Sequence, residues 1–393
     1  MGKKFENLVA NEKNPKWNNI IKREENLYKR NNDIRSEFER DYTRVIHSTA
    51  YRRLKHKTQV FFSPENDHIC TRIEHVVHVE SISYTIANYL GLNTELTKSI
   101  SVAHDIGHSP FGHQGEKILS EISTRDIGKP FWHEKNGLEM VDKIELLESP
   151  KGEKLNLNLT YGVRDGIISH CGEIDENGLK PREEYMDLYE YTKPNQYSPY
   201  TWEGCVVKIA DKISYLGRDI ADAVTLGLLS EPLEELYNLL NYKKKDKINN
   251  TVIINDLIYD LCENSSPEKG LCFSDKMFDV LNKIKEFNYK NIYLSDKLVV
   301  STDYFKLIIT GIYNVLKRSF KDRERIIKIF PEVINDFEDW MSNYWNLNRN
   351  SDNKNKIIFN RNNEKDFYNA IIYYISGMTD NYAIDIYNKI IKF

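Results

Sequence analysis

The sequence predicts an all-α protein. Gly and Pro are scarce, 18 and 11 in 393 residues. Apolar side chains recur at steps of three and four through most segments, and few stretches alternate apolar with polar residues for long. Hydrophobic residues at 40% and charged residues at 29% describe a globular chain with a sizeable core. A chain of this length makes one large or two to three smaller domains.

In chain order, 18–60 is charge-rich and helical in pattern and closes on the basic run YRRLKHK (51–57). A turn follows at 62–67. Thr71 and Glu74 have the T-x-x-E form of a capping box, and the helix they start places His75, Val79, Ile82 and Ile86 on one face. The next helix runs from about 95 to 105. The segment 131–147 reads as a helix with Met140, Ile144 and Leu147 on one stripe. A short helix follows at 162–170, ended by Cys171 and Gly172. The stretch 174–200 holds Pro181, Pro194, Pro199 and five tyrosines, the composition of a long irregular insertion or lid. A strong helix is expected over 201–229, a boundary at the lysine-rich run 243–247, amphipathic helices over 252–345 and a solvated Asn-, Lys- and Asp-rich loop at 346–367.

Net charge is −4, so the chain as a whole has no electrostatic reason to bind nucleic acid or an anionic membrane. No apolar run approaches bilayer length, and the Lys-bearing start lacks the apolar core of a signal peptide. Glu6 stands where a myristoylation signal needs Ser or Thr. The five cysteines are odd in number and form no C-x-x-C pair, so reduced thiols in a cytoplasm are expected.

The chemistry concentrates in AHDIGHSPFGHQGE (103–116), which carries His104, Asp105, His108, His113 and Glu116 among Gly107, Pro110, Gly112 and Gly115. Such a segment runs from a helix end into a tight loop. On the 201–229 helix, Asp211, Tyr215 and Asp219 fall at steps of four; taken alone, that polar stripe reads as a solvated face. His75 alone reads as a core histidine, and a bare His-Asp pair is weak. Together His75, His104, Asp105 and Asp211 make a two-nitrogen, two-carboxylate set. It suits Mg²⁺, Mn²⁺, Fe, Co²⁺ or Ni²⁺ with open water positions better than a closed structural zinc site.

The ordered set His75, His104-Asp105, Asp211 resembles the H…HD…D signature of the HD-domain metal phosphohydrolases. The blocks IRSEFERD (34–41), YRRLKHKTQVF (51–61), TRIEH (71–75), AHDIGHSPFGHQGE, LNLNLTY (155–161) and 203–223 resemble the bacterial deoxyguanosine triphosphate triphosphohydrolase family. The eukaryotic SAM-and-HD-domain dNTP triphosphohydrolase shares the layout. The resemblance covers about 30–230. It implies an HD-domain helical bundle (61–242), an N-terminal helical segment packed on it (1–60) and an additional C-terminal helical region (243–393).

The resemblance also implies metal-dependent cleavage of a dNTP to deoxynucleoside and inorganic triphosphate, with water attacking the α-phosphorus. His75, His104, Asp105 and Asp211 would hold the metal. His113 would act as acid or proton relay, oriented by Glu116. Arg72, His108, His133 and Lys212 would meet the phosphates, and Gln59, Tyr215 and Asp219 the sugar. A homo-oligomer is expected, and a nucleotide effector or single-stranded DNA is a candidate partner. Gly137, His78 and Ser109 depart from the family's usual residues. Two rivals stand: another HD phosphohydrolase acting on a monophosphate, cyclic nucleotide or alarmone, and a regulatory nucleotide or single-strand binder. The binder would use Arg52, Arg53, Lys55 and Lys57 with Tyr51, Phe61 and Phe62.

Overall fold

The computed structural model describes residues 3–27, 33–62, 66–171, 177–230, 234–239 and 250–392. Residues 63–65 of the expected turn, Gly172 and the 243–247 boundary lie outside them. The helices in order are α1 (Trp17–Ile20), α2 (Glu37–His47), α3 (Thr49–Arg53), α4 (Arg72–Leu90), α5 (Thr94–Ala103), α6 (Gly112–Asp126), α7 (His133–Glu139), α8 (Tyr161–Ser169) and α9 (Trp202–Thr225). After them come α10 (Glu234–Leu239), α11 (Asn250–Asn264), α12 (Asp275–Asn288), α13 (Asp296–Lys321), α14 (Arg323–Ile329), α15 (Pro331–Met341), α16 (Glu364–Ser376) and α17 (Asp380–Ile391). The all-α expectation holds, with a single two-stranded hairpin among the described residues.

Local signals explain the central helices. Glu74 accepts the Thr71 N–H at 2.8 Å, closing the capping box of α4, and Gly91 ends that helix at φ +87°. Asn93 caps α5 through the Glu95 and Leu96 amides, and the Thr201 hydroxyl caps α9 through the Gly204 amide. Helices α4, α5, α8 and α9 pack on one another, and α2 covers α5. Their buried residues join those of α11 and α12, including Leu257, Leu261 and Ile284, in one apolar cluster. A second cluster gathers α6 with α13, α15, α16 and α17. Helix α7 spans the two, with Leu138 in the first and Met140 just beyond it in the second.

Three segments differ from expectation. The 131–147 stretch is not one helix: α7 passes into a π-helical turn at Met140–Ile144, and Leu146–Glu148 pairs antiparallel with Lys154–Asn156. Buried Glu145 sits at the break, its carboxylate accepting from Thr49 Oγ1 at 2.7 Å, Ala50 N at 2.9 Å and Arg53 at 2.6 Å. These tertiary bonds override the helical pattern. The loop expected at 346–367 is only partly solvated. Asn353 and Asn355 are buried in it, and Lys154 N donates to Asp352 O. The polar stripe of α9 is not a solvated face either: Asp219 and Asp222 are buried. The 174–200 stretch is irregular as expected, apart from a 3₁₀ turn at Leu188–Glu190. It is pinned where Asp165 accepts from the Arg182 guanidinium and the Tyr200 amide.

Candidate active site

Helix α4 supplies His75, the C-terminal end of α5 supplies His104 and Asp105, and α9 supplies Asp211. His75 Nε2 lies 2.9 Å from Asp211 Oδ1, and its Nδ1 lies 3.0 Å from Ser214 Oγ, one turn along α9. His104 Nδ1 is 2.6 Å from the Ser101 carbonyl, which fixes the tautomer: Nδ1–H donates and Nε2 keeps its lone pair. That Nε2 is fully buried with no hydrogen-bond partner among the described residues. It lies 3.6 Å from Asp105 Oδ1 and 3.8 Å from Asp211 Oδ1. Asp105 Oδ2 in turn lies 3.9 Å from His75 Nε2.

A buried lone pair facing two carboxylates and a second imidazole is costly without a cation among them. Ligand atoms of His75, His104 and Asp211 lie within 4.8 Å of one another, and so do those of His104, Asp105 and His170. The residues therefore fit a divalent metal. Burial alone would raise the Asp105 carboxyl, but His108 and the Arg72 guanidinium beside it hold it well below the usual range. Asp211 is likewise brought down to about 2 against its burial, by the hydrogen bond from His75. Both carboxylates are thus ionised and ready to ligate.

His170 was not among the residues expected to act. It closes α8, its ring centroid 5.0 Å from that of His104, and burial depresses it to about 3. No local motif marks it; only the packing of α8 against α5 and α9 brings it in.

Next to the metal set, His108, His113, Glu116 and His133 converge. Glu116 accepts the His133 amide at 3.0 Å and faces His133 Nδ1 at 3.0 Å and His113 Nδ1 at 3.4 Å. Glu116 therefore serves both histidines, with His133 the nearer. His133 is buried, yet Glu134 and Glu116 carry its pKa well above the ordinary value. His113, by contrast, is largely exposed at the cavity mouth, its side chain 67% accessible. Arg72 is buried and donates to Asp105 at 2.7 Å and to the Thr58 and Gln59 carbonyls at 3.2 Å. Two of its five N–H donors take no part in these bonds.

The loop can come this close only because of its glycines. A Cβ at Gly107 would sit 2.1 Å from the His133 carbonyl, and one at Gly115 1.8 Å from the Pro110 carbonyl. Gly137 faces Ile167, whose Cγ2 would lie 2.9 Å from an added Cβ, so this departure belongs to helix packing.

Of these groups, Arg72, His75, Asp105, His108, His113, His133, His170 and Asp211 line one cavity of about 440 Å³. Gln59, Lys212, Tyr215 and Asp219 line it with the histidines, and Phe62, Phe111, Tyr289 and Phe305 form an apolar wall. Asp219 is buried and accepts from the Tyr293 hydroxyl; burial raises its carboxyl to about 7. Tyr293 lies in the π-helical turn after α12, seventy-four positions away in sequence, and no motif announces it. Of the basic run proposed for single-strand binding, Lys57 is buried and donates to the His108 and Ser376 carbonyls, and Phe61 is buried too. Arg53 is tied to Glu145. Only Arg52, Lys55 and His56 of the run are exposed. Among the described residues, no helix is long and apolar enough to cross a membrane.

Comparison with known proteins agrees with this geometry. The HD domain model matches residues 72–216, a span that begins at Arg72 and includes all four proposed metal ligands. A deoxyguanosinetriphosphate triphosphohydrolase-like protein of Rickettsia prowazekii is 32% identical over 390 residues, covering 91% of this chain and 92% of its own. Proteins of the same description from Desulfatibacillum aliphaticivorans and Caldanaerobacter subterraneus are 37% and 32% identical. The former alignment covers 70% of each chain, the latter 91% of this chain and 86% of the relative. The chain belongs to the deoxyguanosinetriphosphate triphosphohydrolase-like family and is a metal-dependent HD-domain phosphohydrolase.

Proposed function

We propose that the protein hydrolyses deoxynucleoside triphosphates to deoxynucleoside and inorganic triphosphate. The observation that carries this reading is the layout of this cavity. His75, Asp105 and Asp211 line one part, with the buried bare nitrogen of His104 3.6 Å from Asp105, and the Tyr215–Asp219–Tyr293 group with an apolar face lines another. His75, His104, Asp105 and Asp211 would hold a divalent ion (Mg²⁺, Mn²⁺, Co²⁺, Ni²⁺ or Fe), which would supply polarisation of the α-phosphate and a more acidic water.

The protein's own groups do the rest. Water oxygen bonds to the α-phosphorus and the bond from phosphorus to the 5′ oxygen breaks. His113 donates a proton to that oxygen, and Glu116 holds the imidazole that does so. Lys212, Arg72, His108 and His133 offset the charge of the triphosphate. Asp219, fixed by the Tyr293 hydroxyl, accepts from the 3′-hydroxyl, while Tyr215 and Gln59 border the sugar.

A purely regulatory binder is the weaker reading, since Lys57 and Phe61 are locked in the fold. The variant His104→Ala separates the two. Turnover should fall at least a thousandfold while dNTP binding persists; unchanged turnover would refute the catalytic reading.

A further inference from the structure

Beside Asp105, whose Oδ1 lies 3.0 Å from His108 Nδ1, is a second set of potential ligands. His108 stands in the loop after α5, His113 and Glu116 share the first turn of α6, and His133 opens α7. One nitrogen of each imidazole and one Glu116 oxygen lie within 4.8 Å of one another. Glu116 is 3.0 Å from His133 Nδ1 and 3.4 Å from His113 Nδ1. Bonds of about 2.0–2.1 Å in a tetrahedral zinc site put neighbouring ligand atoms about 3.3 Å apart. These pairs already stand at that separation.

His108 is an independent observation. Its Nδ1 lies 3.0 Å from Asp105 Oδ1, while its Nε2 is buried with no hydrogen-bond partner among the described residues. The side chain is 2% exposed. A histidine that donates one N–H to a carboxylate and presents the other nitrogen bare is in the form that ligates metals. Exposed His113 leaves an entry path from solvent.

We propose that His108, His113, Glu116 and His133 form a second metal site, separate from the HD cluster, that takes a cation favouring four nitrogen and oxygen ligands in a tetrahedron, Zn²⁺ above all. Three imidazoles and one carboxylate complete four-coordination, whereas the HD set with its two carboxylates leaves positions open. An ion at the second site engages His113 and Glu116 and so blocks hydrolysis. That consequence rests on the acid role proposed for His113; the site itself does not.

The test is a Co²⁺ titration of the purified full-length chain, read by visible absorption and by equilibrium dialysis. Two equivalents should bind, one of them giving the intense band of tetrahedral cobalt. The band should persist in Asp211→Ala and vanish in both Glu116→Gln and His113→Ala, the latter a change at an exposed position. Circular dichroism matching wild type confirms that each variant is folded. A single equivalent, a band surviving in either second-site variant, or a band lost in Asp211→Ala overturns the site. Because these readouts need no turnover, they stand whether or not dNTPs are the substrate. In Mn²⁺-loaded protein, turnover should fall in step with zinc filling this site; full turnover with the site filled overturns the inhibitory consequence.

Discussion

His75 and His104 each commit one ring nitrogen to the fold, to Ser214 Oγ and to the Ser101 carbonyl, and so aim the other at the proposed metal position. Partners of this kind fix the tautomer and the ring plane, and losing one weakens metal affinity about 10–100-fold. Ser214→Ala should show that loss in Mn²⁺ equilibrium dialysis, with the helical spectrum unchanged; wild-type affinity would mean Ser214 merely packs. Asp219 is a different case. Burial lifts its carboxyl to about 7, above the usual 3.8, with the charges of His75, Asp222 and His113 near it. The folded state therefore favours the protonated form, so this group's contribution to stability is complete at acid pH and is lost as pH rises toward 7. As substrate contact the sense is opposite, because only the carboxylate is a full acceptor for a sugar hydroxyl. KM for a dNTP should rise as pH falls below 7, and the inflection should disappear in Asp219→Asn. An inflection that survives that substitution would assign it to another group.

At the scale of elements, the C-terminal helices are braces for the site loop. Asp380, the first residue of α17, accepts from Thr58 N at 2.8 Å, Thr58 Oγ1 at 2.5 Å and Phe111 N at 2.9 Å. Phe111 is held at φ +62°, a left-handed conformation that an aromatic residue adopts only under restraint. Asp380→Ala leaves buried donors without acceptors and should destabilise the protein by about 2–4 kcal/mol in urea unfolding; a change under about 0.5 kcal/mol would show that the brace is dispensable. This dependence explains what the sequence disclosed and what it hid. Thr71 and Glu74 announce α4, and the glycines of 103–116 announce the loop, because their causes are local. The break at 140–148 depends on Glu145 meeting Thr49 and Arg53, about ninety residues away, and a periodicity has no term for that. His170 and Tyr293 reach the cavity through packing of α8 and the turn after α12, so neither carries a motif. The acids of α9 looked like a solvated stripe because a buried face is revealed only by what covers it.

At the scale of the whole molecule, two apolar clusters meet across α6 and α7, and the cavity opens where they meet. The HD bundle carries the proposed metal ligands and proton groups, while Tyr289, Tyr293 and Phe305 come from beyond α9. A full-length chain is therefore needed for a complete site. The central claim is that water attacks the α-phosphorus and releases the triphosphate intact. The direct measurement is turnover of each dNTP, singly and in pairs, with a divalent metal in ¹⁸O-water, followed by mass analysis of both products. Intact inorganic triphosphate carrying one ¹⁸O, beside unlabelled deoxynucleoside, is the predicted result. Orthophosphate or pyrophosphate as product, or label in the deoxynucleoside, would contradict it.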